Sequence, residues 1–455
     1  MRIKTEIPLT AAFIKEALGK PFTDEDTKKH IRAICTDSRE IKRGDLFIGI
    51  SGETFDGSKF IPQIKKLASL TIGSPTSLAD ITLDDPNASL LLIAKKYKKL
   101  LHIQKTVAIT GSVGKTTTKN LTACILKSKF KTHSTYKNLN NEIGVPFTVL
   151  ETPENTEMLV VEAGMNHLGE LQNISDCIEP DISVITKIGS AHIGNLGSHE
   201  NIAKAKCEIL HGMKNKFAIV PHGEKILYEK AENYKTVSLS NQTSDYILLE
   251  NNSKGDSFTF KTSSSVVEFS LHDVSLANFH IKYALAFALA TCTEIGMSVN
   301  ELKAAVEKID FSVFSNSVQV DDLTIINDSY NSSPEAVIAA LTSLKSKKGS
   351  KSALLGDMLE LGDFSEDMHF EIGLHASKCE LDNLYVIGSY SNYIYEGAVA
   401  GGFDKNKIFI NENPNIPETT ANQILNHSSN EVILFKASRK IKLERIIDIL
   451  KKVKK

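Results

Sequence analysis

The sequence predicts an α/β protein of three domains: a mixed N-terminal unit, a central parallel sheet wrapped by helices, and a smaller doubly wound unit at the C-terminal end. Three observations carry that expectation. The chain has 455 residues, room for several cores at about 100–200 residues each. Short apolar runs alternate with longer helical patterns from residue 105, and the alternation restarts after 315. A glycine turn stands between the first of those runs and the first helix.

Residues 1–100 mix short strand signals, such as DLFIGI (45–50), with two helix-like segments, and end in PNASLLLIAKKYKKLL, where Pro86 precedes an amphipathic run. Residues 101–314 read as the strand TVAIT, a helix over 115–128, the strands MLVVEAG and ISVITKIG, a helix from 199, and the strand FAIVP. A polar, strand-rich stretch at 235–275 reads as an insert into that pattern, and an alanine-rich helix over 278–296 closes the unit. Residues 315–455 give LTIINDSY, a helix at 334–347, KSALLGD, a helix at 365–380, then NLYVIG, KIFI, EVILF and a terminal helix from 441.

Charge and cysteine usage exclude several classes. With 53 Lys+Arg against 55 Asp+Glu, no net field exists to hold nucleic acid or an acidic membrane, so an anionic ligand must be met by local charge. Six cysteines (Cys35, Cys124, Cys177, Cys207, Cys292, Cys379) lie far apart without a C-x-x-C pair, which argues against a disulfide frame or a zinc knuckle. Charge interrupts the N-terminal stretch MRIKTEIPLTAAFIKEALGK before an apolar run reaches signal-peptide length, no stretch approaches 18 uncharged apolar residues, and a soluble, cytoplasmic protein is expected.

The stretch AITGSVGKTTTKN (108–120) is the strongest chemical signal. A strand feeding Gly111, Ser112, Val113 and Gly114 into a helix that begins Lys115-Thr116-Thr117 aims backbone N–H groups and the positive helix end at one anion. Lys115 adds a mobile cation and Thr116 a hydroxyl suited to Mg²⁺. The competing account is a plain glycine turn before an ordinary helix, since Ile109 stands where the usual pattern has its first glycine. Where a guanine-reading motif belongs, the chain has Thr186-Lys187-Ile188-Gly189, so adenine is the expected base.

Glu162 ends the next strand, at the edge where open parallel sheets bind ligands, and can share a Mg²⁺ with Thr116 or be an ordinary polar strand end. His192 follows another strand edge and can reach a second metal, or lie on the surface. Lys206 falls on a helical stripe with Ile202, Ile209 and Met213, while Lys204 points away. Such a lysine either snorkels to the rim or is a partly buried amine that loses its proton easily.

Together these marks resemble the bacterial Mur ligases, ATP-dependent amide-forming enzymes of peptidoglycan synthesis. The similarity runs through TDSREIKRGDLFIGISGETFDG (36–57), TGSVGKTTTK (110–119), NNEIGVP (140–146), VEAGMNH (161–167), AHIGNLGSHENIAKAK (191–206), INDSYNSSPEA (326–336), LGDMLELG (355–362) and KASRKIKLE (436–444). It implies a UDP-sugar-binding domain over 1–100, a central ATP-binding domain over 101–314, and a Rossmann-like domain over 315–455 that binds the incoming dipeptide and closes on ATP. Carried over by position, Lys115 holds the terminal phosphates, Thr116 and Glu162 take one Mg²⁺, and His192 with a carbamylated Lys206 serves a second. Asn141 and the segment Asn327, Asp328, Ser329, Tyr330 and Asn331 help seat ATP, and Ser38 and Arg39 lie against the UDP-sugar. His280 stands, after Phe279, where relatives carry the adenine-side asparagine, and the Gly-Arg pair that relatives have near 311–319 is missing.

The activity implied is addition of D-alanyl-D-alanine to UDP-N-acetylmuramoyl-tripeptide by a monomer that needs only small-molecule partners. Two alternatives remain open at this level. A sister ligase adds the third amino acid to the dipeptide precursor, but the chain lacks an Asp-Asn-Pro-Arg type signature. A nucleotide-driven switch or motor would hydrolyse ATP without any amino-acid acceptor.

Overall fold

The computed structural model describes residues 1–52, 55–240, 243–251, 257–271, 279–314, 317–329, 331–345, 347 and 349–453. Three sheets organise three α/β domains. The N-terminal sheet runs in the order Arg2–Ile3, Ile34–Cys35, Leu46–Ile48, Leu70–Gly73, Ile81–Thr82, its first pairing antiparallel and the rest parallel. Its last helix, Ala88–Lys98, packs on the central-domain helices Gly144–Leu150 and Glu170–Ile178.

The central sheet has nine strands, in the order Thr132–Ser134, Met158–Glu162, Lys105–Thr110, Ile182–Ile185, Phe217–Pro221, Asn233–Ser238, Tyr246–Glu250, Ser257–Lys261, Val266–Ser270. The strand Lys105–Thr110 is buried along all but its first residue, as expected of a parallel strand covered on both faces. On one face the helix Lys115–Leu126 packs against Phe279–Ile295, where Leu285 through Ala290 are fully buried; an all-round apolar helix belongs inside.

The stretch read as an insert is part of this sheet. Asn233–Ser238 and Tyr246–Glu250 extend it in parallel, and the last two strands fold back antiparallel. Phe258, Phe260 and Phe269 bury their rings in the core that also holds Leu285 and Phe287. Alternation along these residues marks strands, but which edge they join depends on that distant helix.

The C-terminal sheet runs Ser317–Val320, Leu323–Asn327, Val432–Lys436, Lys351–Gly356, Leu384–Ile387, Ile408–Asn411, with only the first pairing antiparallel. Helices Pro334–Lys345 and Ser365–Ala376 stop short of the expected 347 and 380. The terminal helix is Glu444–Val453 rather than one starting at 441, because Lys442 takes a left-handed φ of +59° after a short turn of 3₁₀ helix. Among the described residues, no helix is long and apolar enough to cross a membrane.

Candidate functional site

Strand Lys105–Thr110 lies between Met158–Glu162 and Ile182–Ile185, with Ile109 opposite Glu162 and Thr110 opposite Ile185. The chain leaves this strand toward one side of the sheet and later crosses to the other, so the loops at the three carboxyl ends part and open a crevice. Gly111 enters that crevice at φ +142°, where a Cβ would stand 2.1 Å from Thr186 Oγ1. A side chain there would force the loop off its neighbour. Gly114 caps the following helix at φ +87°.

The neighbouring strand end fixes the loop. Ser112 N–H donates to Lys187 O at 2.8 Å, Gly189 N–H donates to Ser112 Oγ at 3.0 Å, and Thr186 Oγ donates to Val113 O at 2.6 Å. Lys115 Nζ folds over the loop and donates to Gly111 O at 2.7 Å. Burial pulls its ammonium below the usual range while the Glu162 charge pushes it up. Thr117 follows, half-buried, on the first turn of the helix.

Glu162 is 2% exposed. Its Oε1 accepts from Thr116 Oγ1 at 3.1 Å and from Asn140 Nδ2 at 2.8 Å, and its N–H donates to Thr135 Oγ1 at 3.0 Å. Its Oε2 is shielded and has no hydrogen-bond partner. An unmet buried carboxylate oxygen is costly unless a positive group comes to it. Beside a threonine hydroxyl, that oxygen fits a hard, oxygen-seeking cation such as Mg²⁺.

The asparagine at this carboxylate is Asn140, which the sequence reading did not single out. Asn141 Oδ1 accepts from Gly144 N–H at 2.8 Å and Ile143 N–H at 3.3 Å, starting the helix Gly144–Leu150. Lys119 also escaped the sequence reading: 3% exposed, it donates to Thr135 O at 2.8 Å and so steadies the residue that holds the Glu162 N–H. Its position one turn after Thr116 on the same helix face was the available signal.

Lys206 lies on the apolar stripe with Ile202 and Ile209, all three at 0% exposure, whereas Lys204 turns outward and pairs with Glu200 at 2.8 Å. Snorkelling is therefore overturned, because the Lys206 amine ends inside the protein with no hydrogen-bond partner. Burial, with the Lys115 charge adding to it, holds the Lys206 ammonium well below its usual range. His192 is drawn toward the C-terminal domain, its Nδ1 2.6 Å from Glu360 Oε2. Among the described residues, no three or more His, Cys, Asp and Glu side chains converge as a metal cluster.

Across the crevice, Lys436 holds Asp328 and Asn331. Its Nζ donates to Asp328 O at 3.1 Å and to Asn331 O, and stands 3.2 Å from Asp328 Oδ2. Asn327 Oδ1 accepts from Ser329, and Asn331 Oδ1 accepts from Ser332 N–H at 2.8 Å. Tyr330 lies outside the described residues. Burial lowers the His280 imidazole, opposed by Asp328 and reinforced by Lys436 and Lys187, which places the start of helix Phe279–Ile295 at the same junction. Ser38 and Arg39 lie on an N-terminal-domain turn where the exposed Arg39 grips Asp37 at 2.6 Å.

Comparison with known proteins accounts for the arrangement. Family models match at residues 30–80 (Mur ligase family, catalytic domain), 109–291 (Mur ligase middle domain) and 313–439 (Mur ligase, glutamate ligase domain). The chain is 33% identical to the UDP-N-acetylmuramoyl-tripeptide--D-alanyl-D-alanine ligase of Bacillus subtilis strain 168 over 98% of both chains. Among solved structures it is similar to MurF from Acinetobacter baumannii, with a TM-score of 0.85 and 26% identity over 99% of this chain and 100% of that one. The ADP complex of MurF ligase from Thermotoga maritima superimposes with a TM-score of 0.80 and 26% identity, covering 92% of this chain and 97% of that one. With 33% identity to the Bacillus subtilis ligase over 98% of both chains and Mur ligase models matched along the chain, the chain belongs to the Mur ligase family.

Proposed function

We propose that the protein is an ATP-dependent ligase that joins D-alanyl-D-alanine to UDP-N-acetylmuramoyl-tripeptide, releasing ADP and phosphate. The observation that carries this reading is similarity over 98% of the chain to a ligase of that name, in a molecule whose glycine loop faces a buried acid. Residues 1–100 hold the UDP-sugar through the turn bearing Ser38 and Arg39, residues 101–314 hold ATP, and residues 315–455 bring the dipeptide.

The difficulty in the reaction is electrostatic. The peptide carboxylate attacks the γ-phosphorus of ATP and the bond to the bridging oxygen of ADP breaks, so one anion must approach another. At an effective dielectric of 20, each unit pair at 4 Å repels by roughly 4 kcal/mol. The loop N–H groups of residues 111–117 and the Lys115 ammonium offset that repulsion where the phosphates lie. Thr116 and Glu162 would hold Mg²⁺, which when bound neutralises phosphate charge and fixes its orientation.

Lys206 is suited to carbamylation. Its neutral nitrogen can bond to the carbon of CO₂ and shed one proton, leaving a carboxylate-like group on a side chain that now has no partner. That group and His192 would hold a second Mg²⁺, which would add to the charge neutralisation around the phosphates. After phosphoryl transfer, the dipeptide amine attacks the acyl carbon, phosphate leaves from the tetrahedral intermediate, and the amine loses its proton. Asp328 and Asn331, held by Lys436, and His280 border the nucleotide from the far side, and the seated C-terminal domain keeps water from the acyl phosphate.

ADP formation measured with a panel of UDP-muropeptides and amino acceptors tests the assignment. It should require the tripeptide precursor and D-Ala-D-Ala together. Turnover with the dipeptide precursor and lysine or diaminopimelate would make the protein the sister ligase, and rapid ADP formation without acceptor would make it a switch or motor.

A further inference from the structure

The first turn of helix Pro334–Lys345 meets the central domain through one acid. Glu335 Oε1 accepts two hydrogen bonds from a single residue 145 positions away, from Ser190 N–H at 2.8 Å and from Ser190 Oγ at 2.6 Å. Ser190 is 3% exposed, and its Oγ also lies 3.3 Å from His199 Nε2. The Glu335 carboxylate rests directly on Gly189, where a Cβ would stand 2.9 Å from Glu335 Cδ. The other face of the same short segment holds the glycine loop, through Gly189 N–H to Ser112 Oγ at 3.0 Å and Ser112 N–H to Lys187 O at 2.8 Å. Four successive residues, 187–190, thus carry the loop on one side and the C-terminal domain on the other.

A second contact seats that same surface. Gly194 N–H donates to Glu360 O at 3.0 Å, and a Cβ on Gly194 would fall 2.6 Å from Gly362 N. The two backbones touch with no room for a side chain, so the C-terminal domain cannot shift here without breaking contact. A surface ion pair between domains would be worth little. Glu335 differs because its acceptor oxygen satisfies a buried N–H and a buried hydroxyl in the segment that shapes the loop, and because its Oε2 is shielded and without a partner.

We infer that Glu335 is a positioning residue for ligation, transmitting the seating of the C-terminal domain through Ser190 and Gly189 to Ser112 and the glycine loop. Reaction between two held anions is sensitive to displacements on the order of 1 Å, so loosening this strut should slow chemistry more than it weakens binding. The inference rests on the ligase reading. The two fail differently: absence of acceptor-dependent ADP formation by the wild-type chain defeats that reading, whereas the strut is judged on ratios between variants.

The test uses the full chain with Glu335→Ala and Glu335→Gln, recording kcat, KM for the UDP-muropeptide and for ATP, and the melting temperature. The alanine variant should lose roughly 10-fold or more in kcat while KM for the muropeptide stays within about two-fold. The glutamine variant should recover most of the loss, because its amide oxygen can accept the same two bonds. A kcat for Glu335→Ala within about two-fold of wild type overturns the inference. So does a glutamine variant no better than alanine, or a loss that only follows the folded fraction.

Discussion

Two buried lysines, one in the central domain and one in the C-terminal domain, are treated in opposite ways. Lys436 is 2% exposed, and its ammonium is matched by two backbone carbonyls and the Asp328 carboxylate. Lys206 is 0% exposed and its amine is matched by nothing. The first completes the hydrogen bonding of an irregular segment that would otherwise leave carbonyls unmet. The second is a standing cost to the fold, and such costs concentrate where chemistry needs a group with a shifted pKa. A buried lysine is thus read by what its ammonium touches rather than by its burial.

The largest test of this contrast lies beside Lys206. Lys115→Ala removes the cation that lies over the glycine loop, and it should cut acceptor-dependent ADP formation by about a hundredfold to a thousandfold with the melting temperature nearly unchanged. Turnover close to wild type would mean that the loop does not hold the reacting phosphates. Lys206→Ala should lose about a hundredfold, with part of the rate restored by short carboxylic acids at high Mg²⁺. An alanine variant fully active without additives would show that the unpartnered amine has no part in the reaction.

How much of this was legible beforehand divides along the same line. The helical period placed Lys206 on the stripe of Ile202 and Ile209, and the strand-loop-helix grammar placed Gly111, Lys115, Thr116 and Glu162 at one sheet edge. Those are local patterns, and local geometry carries them into the fold. Periodicity does not reveal whether a long side chain bends to the rim, so the depth of the Lys206 amine needed the packing around it. Asn140 and Asn141 are adjacent, and only the turn into helix Gly144–Leu150 decides which one faces Glu162. The pairs Ser190–Glu335 and His192–Glu360 join separate domains, so no spacing in the chain announces them. The strands of 233–270 were visible as strands, while their edge was set by a helix that follows them in sequence.

Replacing the ammonium by an apolar side chain of similar length compares the two lysines directly. Lys436→Met leaves the Asp328 and Asn331 carbonyls unpaired and should destabilise the protein by about 2 kcal/mol in denaturant unfolding. Lys206→Met removes an amine that makes no bond, and should leave stability unchanged or raised while activity is lost. Equal destabilisation by both would show that Lys206 has partners in solution that this structure does not contain, and the contrast would fail.

The smallest expected effect, and the sharpest, is at Lys119, which stands between the two cases. It is buried one helical turn from Thr116, yet it makes a single hydrogen bond, to Thr135 O at 2.8 Å. Thr135 in turn accepts the Glu162 N–H at 3.0 Å, so Lys119 reaches the acid only through its neighbour. Burial lowers its ammonium while the Glu162 charge raises it, so amine and carboxylate share one electrostatic neighbourhood without touching. Lys119→Met should cost about 1 kcal/mol, the net value of one hydrogen bond, and reduce kcat by only a few-fold through a less firmly held Glu162. If activity instead fell as far as in Lys206→Ala at equal stability, Lys119 would belong with the reacting groups, and a satisfied ammonium could no longer be taken as the mark of a structural lysine.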